Sequence, residues 1–376
     1  MILARGLIVL SCLLATFTLF LNGCKKADPD PIRIGFVAGM TGRMAPVSIP
    51  ARDGALLAIK QVNEAGGIDG RKLELIIYDD KQDRDVARAA VRSLISEGVP
   101  VIIGPLTSTM AVEMVPIVNR SKTLLISPTA STTSLSRQDD NFLRLRPQCV
   151  TVVRKLVNYI VDQRHLKKIG ILLDVGNSAY TEDWQRCFSR YLEEKDGEVV
   201  SAVSFVSGDD HLFGALAGKI LKSQPEGILV LANPLDTAIF SQQLAKKGVQ
   251  IPLFTSEWSM TRDLLTSGGR SVEGITLFHV FNEASKKKKY LEFKDEYRAY
   301  FGQEPSFPVI HGFDTMQVVI AGLKRGARTG PELKKVLLQT KEFDALQTVL
   351  RFDPYGDIER DLFLTVVKDG EFVVVE

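Results

Sequence analysis

The sequence predicts an α/β protein that contains two parallel β-sheets with helices packed on them. Short apolar segments alternate with longer amphipathic segments from Pro31 onward, which is typical of parallel βαβ units. The segment VPVII (99–103) is apolar without alternation, as expected for a strand covered on both faces. The same alternation starts again after Pro147, with no low-complexity linker before it. We therefore expect two closely packed α/β lobes joined by several chain crossings.

The first series consists of strands that are each followed by a helix. The strand IRIGFVAG precedes the amphipathic helix PARDGALLAIKQVNEAGG, which ends at Gly66-Gly67, a usual C-terminal stop. After the strand KLELIIYDD, Asp83 is expected to cap the helix VARAAVRSLISEG, which closes at Gly98. VPVII and TLLISP are predicted strands on either side of the helix TSTMAVEMVPIVNRS.

The second series begins with the helix TVVRKLVNYIVDQ. Three strand–helix pairs follow, namely KKIGILLD with YTEDWQRCFSRYLEEKDG, EVVSAVSFV with HLFGALAGKILKSQP, and EGILVLAN with DTAIFSQQLAKKG. After the strand PLFTSE and the segment VEGITLFHVF, helical patterns lie around Leu291–Phe301, Gly312–Arg325 and Pro331–Gln339. The C-terminal segment predicts strands with a hairpin turn at Asp369-Gly370.

The N-terminus predicts an export signal. Leu7–Leu21 is almost wholly apolar but shorter than the roughly 20 residues that cross a bilayer. It ends at Leu21-Asn22-Gly23-Cys24, which resembles the lipobox of bacterial lipoproteins, where cleavage before the cysteine leaves a thiol for lipid. The resemblance implies a signal peptide at 1–23, a tether at 24–31, and export with Cys24 as lipid anchor, facing the periplasm or the cell exterior. An ordinary secretory signal with an incidental cysteine is the alternative, and the choice of inner or outer membrane stays open.

Two further cysteines would remain beside Cys24 in the exported chain. A disulfide is permitted in such a compartment, although the sequence does not bring the two residues together. Cys149 opens one helical pattern and Cys187 lies inside another, which favours two buried thiols over a bridge.

Composition and motifs exclude several functions. A net charge of +2 on 376 residues gives no reason to expect a nucleic-acid partner, and we interpret the run Lys286–Lys289 as a solvated face. The four histidines are far apart, and no HExxH, GxSxG or GxxxxGK[ST] motif is present, so neither catalysis nor a cofactor is expected. Asp79, Asp80 and Asp83 follow a strand, where acids more often cap the next helix than bind a metal.

Four motifs in a fixed order carry a family resemblance: IGFVAGMTGRMA, VNEAGGIDGRKLELIIYDD, VIIGPLTSTMA and LLISPTAST. In this order and spacing they resemble the leucine/isoleucine/valine-type substrate-binding proteins of ABC transporters, from about Ile32 to the C-terminus. The resemblance implies the type I periplasmic-binding-protein fold, with two Rossmann-like lobes, three chain crossings and a ligand cleft between the lobes. It places lobe I at 32–147 and 281–351 and lobe II at 148–280 and 352–376, with crossings near Arg146–Cys149, Phe278–Asn282 and Arg351–Tyr355.

The segment GPLTSTM (104–110) is the candidate carboxylate site of lobe I. Hydroxyl residues at a helix start can cap the helix, and the free amides and dipole there also suit an anion. Ligands of open α/β sheets lie beyond the carboxyl ends of the strands, which points to the same loops. The resemblance implies that Ser108, Thr129 and Ser131 hold the α-carboxylate of the ligand through hydroxyls and backbone N–H groups.

The candidate residues of lobe II face the other end of the ligand. Glu257 ends the strand PLFTSE and matches the family acid that pairs with the ligand's α-amino group, a bond that is strong when water is excluded. Tyr180 in NSAYTED matches a family tyrosine. The alternatives are a surface acid that caps the next turn and an aromatic residue that only packs.

Departures from the family affect the side-chain pocket. Val47 stands where the family commonly has an aromatic residue, Asn233 where a tyrosine is usual, and Trp258 where a small residue is frequent. Arg146, near the first crossing, could bind a second carboxylate or pair at the hinge. The α-amino-acid cradle is thus retained, but the pocket is not that of a standard leucine binder.

These observations predict an extracytoplasmic solute-binding protein of an ABC importer. It would capture an amino acid or a related small carboxylate and deliver it to a membrane permease, without metal or cofactor. The alternative is a lipoprotein of the same fold that acts as a sensor or activates a partner such as a cell-wall synthase.

Overall fold

The computed structural model describes residues 29–208 and 213–375, which form two large β-sheets and a short two-stranded sheet. The first sheet is entirely parallel and has the order β2-β1-β3-β4-β5. Its strands are β1 (Ile32–Ala38), β2 (Leu73–Asp79), β3 (Val101–Ile103), β4 (Leu124–Ser127) and β5 (Phe142–Arg144).

Six helices belong to the first sheet, and together with it they are called lobe I below. They are α1 (Ala45–Glu64), α2 (Arg84–Ser96), α3 (Ser108–Val118), α9 (Lys288–Phe301), α10 (Phe307–Lys324) and α11 (Gly330–Gln339). The helices α1 and α10 cross in close contact at two glycines. A Cβ atom on Gly312 would lie 1.9 Å from the Ala51 carbonyl oxygen, and one on Gly54 would lie 2.1 Å from the Val309 carbonyl oxygen. Only glycine therefore fits at these two positions.

The second sheet is parallel at its centre and antiparallel at one edge. Its strands are β6 (Lys168–Asp174), β7 (Glu198–Phe205), β8 (Gly227–Leu231), β9 (Leu253–Thr255), β10 (Thr276–His279), β13 (Phe363–Lys368) and β14 (Glu371–Val374). They have the order β14-β13-β10-β9-β8-β6-β7, in which β13 and β14 are the antiparallel strands. The second sheet and the helices that flank it are called lobe II below. The helices are α4 (Cys149–Asn158), α5 (Ser178–Glu193), α6 (Phe213–Leu221), α7 (Pro234–Lys246) and α8 (Arg262–Gly268).

The chain passes between the two lobes three times. The connections run from β5 to α4, from β10 to α9, and from the short pair β11 (Phe343–Asp344) and β12 (Val349–Leu350) to β13. The two lobes and three crossings that the resemblance implies are therefore present. The predicted bounds of the lobes, at 147/148, 280/281 and 351/352, fall within these connections and stay a proposal.

Local signals in the sequence explain most elements. Asp83 caps α2 as predicted, since its carboxylate accepts hydrogen bonds from the backbone N–H groups of Asp85 (2.8 Å) and Val86 (3.0 Å). The hairpin between β13 and β14 turns at Asp369 and Gly370, which have φ values of 53° and 73°. Several bounds differ from the prediction: α1 begins before Pro50, α10 begins at Phe307 and not near Gly312, and the helix after Cys149 ends in a π-helical turn at Tyr159–Gln163.

Over the described ranges, no helix combines the length and the apolar character that a membrane span requires.

Candidate ligand-binding site

A narrow cavity lies where the carboxyl ends of both sheets face each other. The volume of this cavity is about 30 Å³. A wider groove lies at the other end of lobe II, but exposed loop residues such as Gln250 and Arg270 line it. The cavity between the lobes is lined by Val47, Leu106, Ser108, Thr129, Arg146, Asn177, Tyr180, Glu257, Trp258 and Phe307.

The segment 104–110 enters the cavity from the end of β3. Gly104 has a φ of 118°, and a Cβ atom there would lie 2.0 Å from the Val37 carbonyl oxygen, so the position requires glycine. Thr107 is the N-cap of α3, but its side chain makes no capping hydrogen bond. Capping alone therefore does not explain the hydroxyl residues in this segment.

Ser108 lines the cavity on the lobe I side, whereas Ser131 lies directly behind it and is not among the lining residues. The Ser108 hydroxyl oxygen accepts a hydrogen bond from the Ser131 backbone N–H at 3.2 Å, which leaves its own proton available for donation. Ser131 is fully buried behind Ser108, and its hydroxyl has no hydrogen-bond partner among the described residues. Both hydroxyls lie next to the start of α3, where the helix dipole favours a negative group.

Thr129 lines the cavity but has a different local role. Its hydroxyl donates a hydrogen bond to the Leu106 carbonyl oxygen at 2.6 Å, and its backbone N–H donates to Ser127 Oγ at 3.3 Å. Its donors are therefore used within the protein, so Thr129 positions the two loops of lobe I beside Ser108.

Glu257 and Tyr180 form the opposite wall. Glu257 begins a 3₁₀ turn directly after β9 and is 4% exposed, and Tyr180 lies in the first turn of α5. Burial and the nearby Glu257 carboxylate raise the pKa of Tyr180 well above its usual value. Its ring packs edge-on against Trp258 at 5.9 Å between centroids. Trp258, Phe307 and Val47 provide the apolar surface of the cavity.

Arg146 connects the cavity to the chain crossings. Its Nη2 lies 3.2 Å from Glu257 Oε1, and the side chains are 1% and 6% exposed, so the two form a buried ion pair. Apart from this pair, neither Glu257 oxygen has a hydrogen-bond donor in the described part of the chain. The Nε and Nη2 groups of Arg146 likewise have no hydrogen-bond acceptor there.

Two buried histidines lie on the other side of Arg146. Burial and the adjacent arginines hold the pKa values of His279 and His311 well below 6.5, so both rings are neutral. His279 Nδ1 accepts a hydrogen bond from Phe281 N at 2.8 Å, so its proton lies on Nε2, which faces Arg146. His311 lies between Arg146 (3.3 Å) and Arg360 (3.4 Å) and can accept from only one of them. The imidazoles thus satisfy only a small part of the donor capacity of Arg146.

Asn233 lies outside the cavity lining. Its carbonyl oxygen accepts a hydrogen bond from Asp236 N at 3.0 Å and caps α7. Its amide nitrogen donates to Ser207 Oγ at 2.9 Å and to Asp236 Oδ2 at 2.6 Å. The Asn-Pro pair at the start of a helical pattern is a signal for such a cap.

Direct hydrogen bonds join the lobes around the cavity. The Thr109 N–H donates to Asn177 Oδ1 at 3.2 Å, and the Ala179 N–H donates to Thr109 Oγ1 at 3.1 Å. The backbone N–H and the hydroxyl of Thr133 both donate to the Asp183 carboxylate, at 2.6 and 2.7 Å. The lobes are therefore closed on each other.

The sequence prediction missed several lining residues. Asn177 could have been found, because it lies in the loop between β6 and α5, at the same edge of the sheet as Tyr180. Phe307 and Leu106 are ordinary apolar residues in their local patterns, so the sequence contained no signal for them.

Comparisons with known proteins agree with this architecture. A family model described as periplasmic binding protein matches residues 31–371. The Leu/Ile/Val-binding protein homolog 3 of Brucella melitensis is 24% identical over 358 residues, which cover 94% of this chain and 96% of the relative.

Two solved structures are similar in fold. One is a branched-chain amino acid transporter substrate-binding protein of Streptococcus pneumoniae in complex with isoleucine (TM-score 0.83, 24% identity, 91% of this chain and 97% of that chain). The other is a solute-binding protein of an ABC transporter from R. palustris in complex with benzoate (TM-score 0.83, 19% identity, 92% and 95%).

The family match spans most of the chain and includes every strand of the first sheet. The chain belongs to the periplasmic binding protein family, whose members are exported, substrate-binding transport proteins and not enzymes.

Proposed function

We propose that this protein is the solute-binding component of an ABC importer and delivers an amino acid or a related small carboxylate to a membrane permease. The observation that carries the proposal is the buried cavity at the carboxyl ends of both sheets, with hydroxyls on one wall and a carboxylate on the other. Ligands of open α/β sheets bind at this position.

The carboxylate of the ligand would bind to lobe I. Ser108 has a proton to donate, Ser131 has a buried hydroxyl with no partner in the described residues, and α3 starts beside them. Hydroxyl donors and a helix N-terminus together stabilise a negative group.

The amino group of the ligand would bind to Glu257. Both oxygens of this buried carboxylate lack a hydrogen-bond donor within the described ranges, and an ammonium group supplies three. Tyr180 lines the same wall of the cavity as Glu257.

The charges of the cavity favour a zwitterion over a simple acid. Glu257 and Arg146 already cancel each other, so an α-amino acid would add no net charge to the buried space. A monocarboxylate such as benzoate would add one uncompensated negative charge, which is costly at low exposure. The relatives that bind isoleucine and benzoate have equal TM-scores, so this charge balance is what distinguishes the two ligand classes here.

The membrane anchor is part of the same proposal. Cys24 lies outside the described residues, and so do the signal peptide at 1–23 and most of the tether at 24–31. Acylation of Cys24 would hold the protein at the membrane surface, near the permease.

A thermal-shift screen of the purified protein tests the ligand class. The panel contains α-amino acids, the corresponding deaminated acids, the corresponding amines, and short amides. A ligand at 100 times its Kd stabilises the folded state by about 2.7 kcal/mol, which raises the melting temperature measurably. We expect one or more α-amino acids to give this shift and their deaminated or decarboxylated analogues to give little. A shift with the deaminated acids alone would contradict the role of Glu257, and no shift with any member would contradict the proposed ligand class.

A further inference from the structure

Two cysteines that are 38 positions apart in the sequence meet in lobe II. Cys149 is the first residue of α4, Cys187 lies in the neighbouring helix α5, and both are free thiols. Their sulfur atoms and a carboxylate oxygen of Asp183 all lie within 4.8 Å of one another. The two thiols are therefore close enough to react with each other after a change of side-chain rotamer.

The surroundings make the two thiols unequal. Cys149 is fully buried and donates a hydrogen bond to Asp183 Oδ2 at 3.1 Å. Its contact with the Cys187 sulfur, its burial and the Asp183 charge raise the pKa of Cys149 well above 9.0. The same contact, assisted by Arg186 and Arg190, lowers the pKa of Cys187, which is also the more exposed of the two at 7%. Cys187 is thus the thiol that ionises first.

We propose that Cys149 and Cys187 are a dithiol that forms an intramolecular disulfide by exchange with a small-molecule disulfide. The Cys187 thiolate attacks one sulfur of the oxidant and releases the first thiol, which leaves a mixed disulfide on Cys187. Cys149 then passes its proton to its hydrogen-bond acceptor Asp183, attacks the Cys187 sulfur and releases the second thiolate, which takes up that proton. Two protein thiols are oxidised and one disulfide is reduced to two thiols, so the electrons balance.

The arrangement favours a disulfide over a metal ion. Asp183 would have to supply a ligand, but its oxygens already accept hydrogen bonds from Thr133 N, Thr133 Oγ1 and Cys149 Sγ, and the Arg186 cation contacts it as well. A metal ion would displace these donors and lie next to a positive charge. Oxidation to a disulfide removes only the S–H donor of Cys149. Family membership implies export, and disulfides form and persist in export compartments.

The oxidation state would also affect the contact between the lobes. Asp183 is the lobe II partner of Thr133, which belongs to lobe I. Oxidation removes the hydrogen bond from Cys149 Sγ to Asp183 Oδ2, so that the backbone N–H of Thr133 remains as a donor to this oxygen. The disulfide therefore acts on the same carboxylate that joins the lobes beside the first crossing.

The test is redox titration of the full-length reduced protein with oxidised glutathione, followed by blocking of free thiols, tryptic digestion and mass spectrometry. We expect a cross-linked pair of the peptides LRPQCVTVVR (145–154) and CFSR (187–190), lighter by two hydrogens than their sum. In Cys149→Ser, glutathione should remain on Cys187 as a stable mixed disulfide because the second thiol is missing. In Cys187→Ser, Cys149 should stay unmodified.

A stability measurement provides an independent readout. Closure of the loop between the two cysteines should raise the melting temperature of the oxidised wild type over the reduced wild type by a shift on the order of 5 °C. Oxidant should give no such rise in Cys149→Ser. Two blocked thiols and no cross-link after oxidation would overturn the proposal, as would equal glutathionylation of both single variants or stoichiometric zinc in the reduced protein.

Discussion

The substitution Glu257→Gln tests the buried ion pair between the lobes. With an effective dielectric constant of about 20, unit charges at the observed 3.2 Å attract each other by about 5 kcal/mol. The substitution removes the counter-ion of Arg146 and leaves a guanidinium that is 1% exposed and lies beside the neutral imidazoles of His279 and His311. Loss of one partner of a buried pair typically costs about 3–5 kcal/mol. We expect Glu257→Gln to lower the free energy of unfolding by about 3 kcal/mol.

Urea denaturation followed by the fluorescence of the two tryptophans measures this loss, because Trp184 is fully buried and Trp258 adjoins the substituted residue. The double variant Arg146→Met/Glu257→Gln contains no unpaired charge at this place and should recover part of the loss, with a coupling energy of about 2 kcal/mol. An unchanged unfolding midpoint in Glu257→Gln would refute the ion pair, and so would additive effects in the double variant.

A matched control separates stability from binding. Asp357 pairs with Arg144 at 2.7 Å, with side chains 8% and 0% exposed, but neither residue lines the cavity. Asp357→Asn should therefore destabilise the fold to a similar extent and keep the thermal shift given by the amino acid found in the screen. Glu257→Gln should lose at least tenfold in affinity for that amino acid, about 1.4 kcal/mol. Equal affinity losses in both variants would mean that Glu257 acts through the fold alone.

Three further predictions concern other parts of the molecule. Ser108→Ala should weaken binding of the same amino acid by about 1 kcal/mol in calorimetry, less than the loss expected for Glu257→Gln, because Ser131 and the amides of α3 remain; an unchanged Kd would remove Ser108 from the site. Mass spectrometry of the membrane fraction should detect an acylated Cys24, and Cys24→Ala should release the protein, whereas an unlipidated mature N-terminus would contradict the anchor. Burial raises the pKa of Asp80 to about 6 in the folded protein. Between about pH 4 and pH 6 the unfolded chain therefore binds fewer protons at this residue than the folded protein does, so its contribution to stability falls as the pH rises. Asp80→Asn should accordingly raise the free energy of unfolding by about 3 kcal/mol at pH 8 and leave it unchanged at pH 3, and an equal gain at both pH values would exclude this cause.

The position of the candidate site could be predicted because it follows from sheet geometry. The carboxyl ends of parallel strands lie at one edge of each sheet, so residues such as Ser108 and Glu257 that directly follow strands must face the same side. Of the six other predicted residues, four line the cavity and two do not: Val47, Thr129, Tyr180 and Arg146 line it, and Ser131 and Asn233 lie outside the lining. The individual roles of these residues stay predictions.

The pairing of side chains could not be predicted in the same way. Arg146 lies in the first crossing and Glu257 in lobe II, 111 positions further along the sequence, so no local pattern connects them. Asn233 shows the opposite case, because its hydrogen bonds within four residues decide its role as a cap. The two cysteines meet only because α4 and α5 pack side by side, a relation that helical periodicity does not encode.

The buried row of arginine and histidine side chains next to Glu257 has a consequence for how ligand binding would be coupled to the arrangement of the lobes. Arg146 lies in the first crossing, His279 ends the strand before the second, and Arg360 lies in the third, with His311 of lobe I between the two arginines. A ligand group that binds Glu257 in place of Arg146 would break their ion pair and change the electrostatic environment of all three connections at once. Under the proposed function, a ligand bound at Glu257 would therefore act on the same side chains that connect the three crossings, so that ligand binding and the relative position of the lobes would be coupled directly.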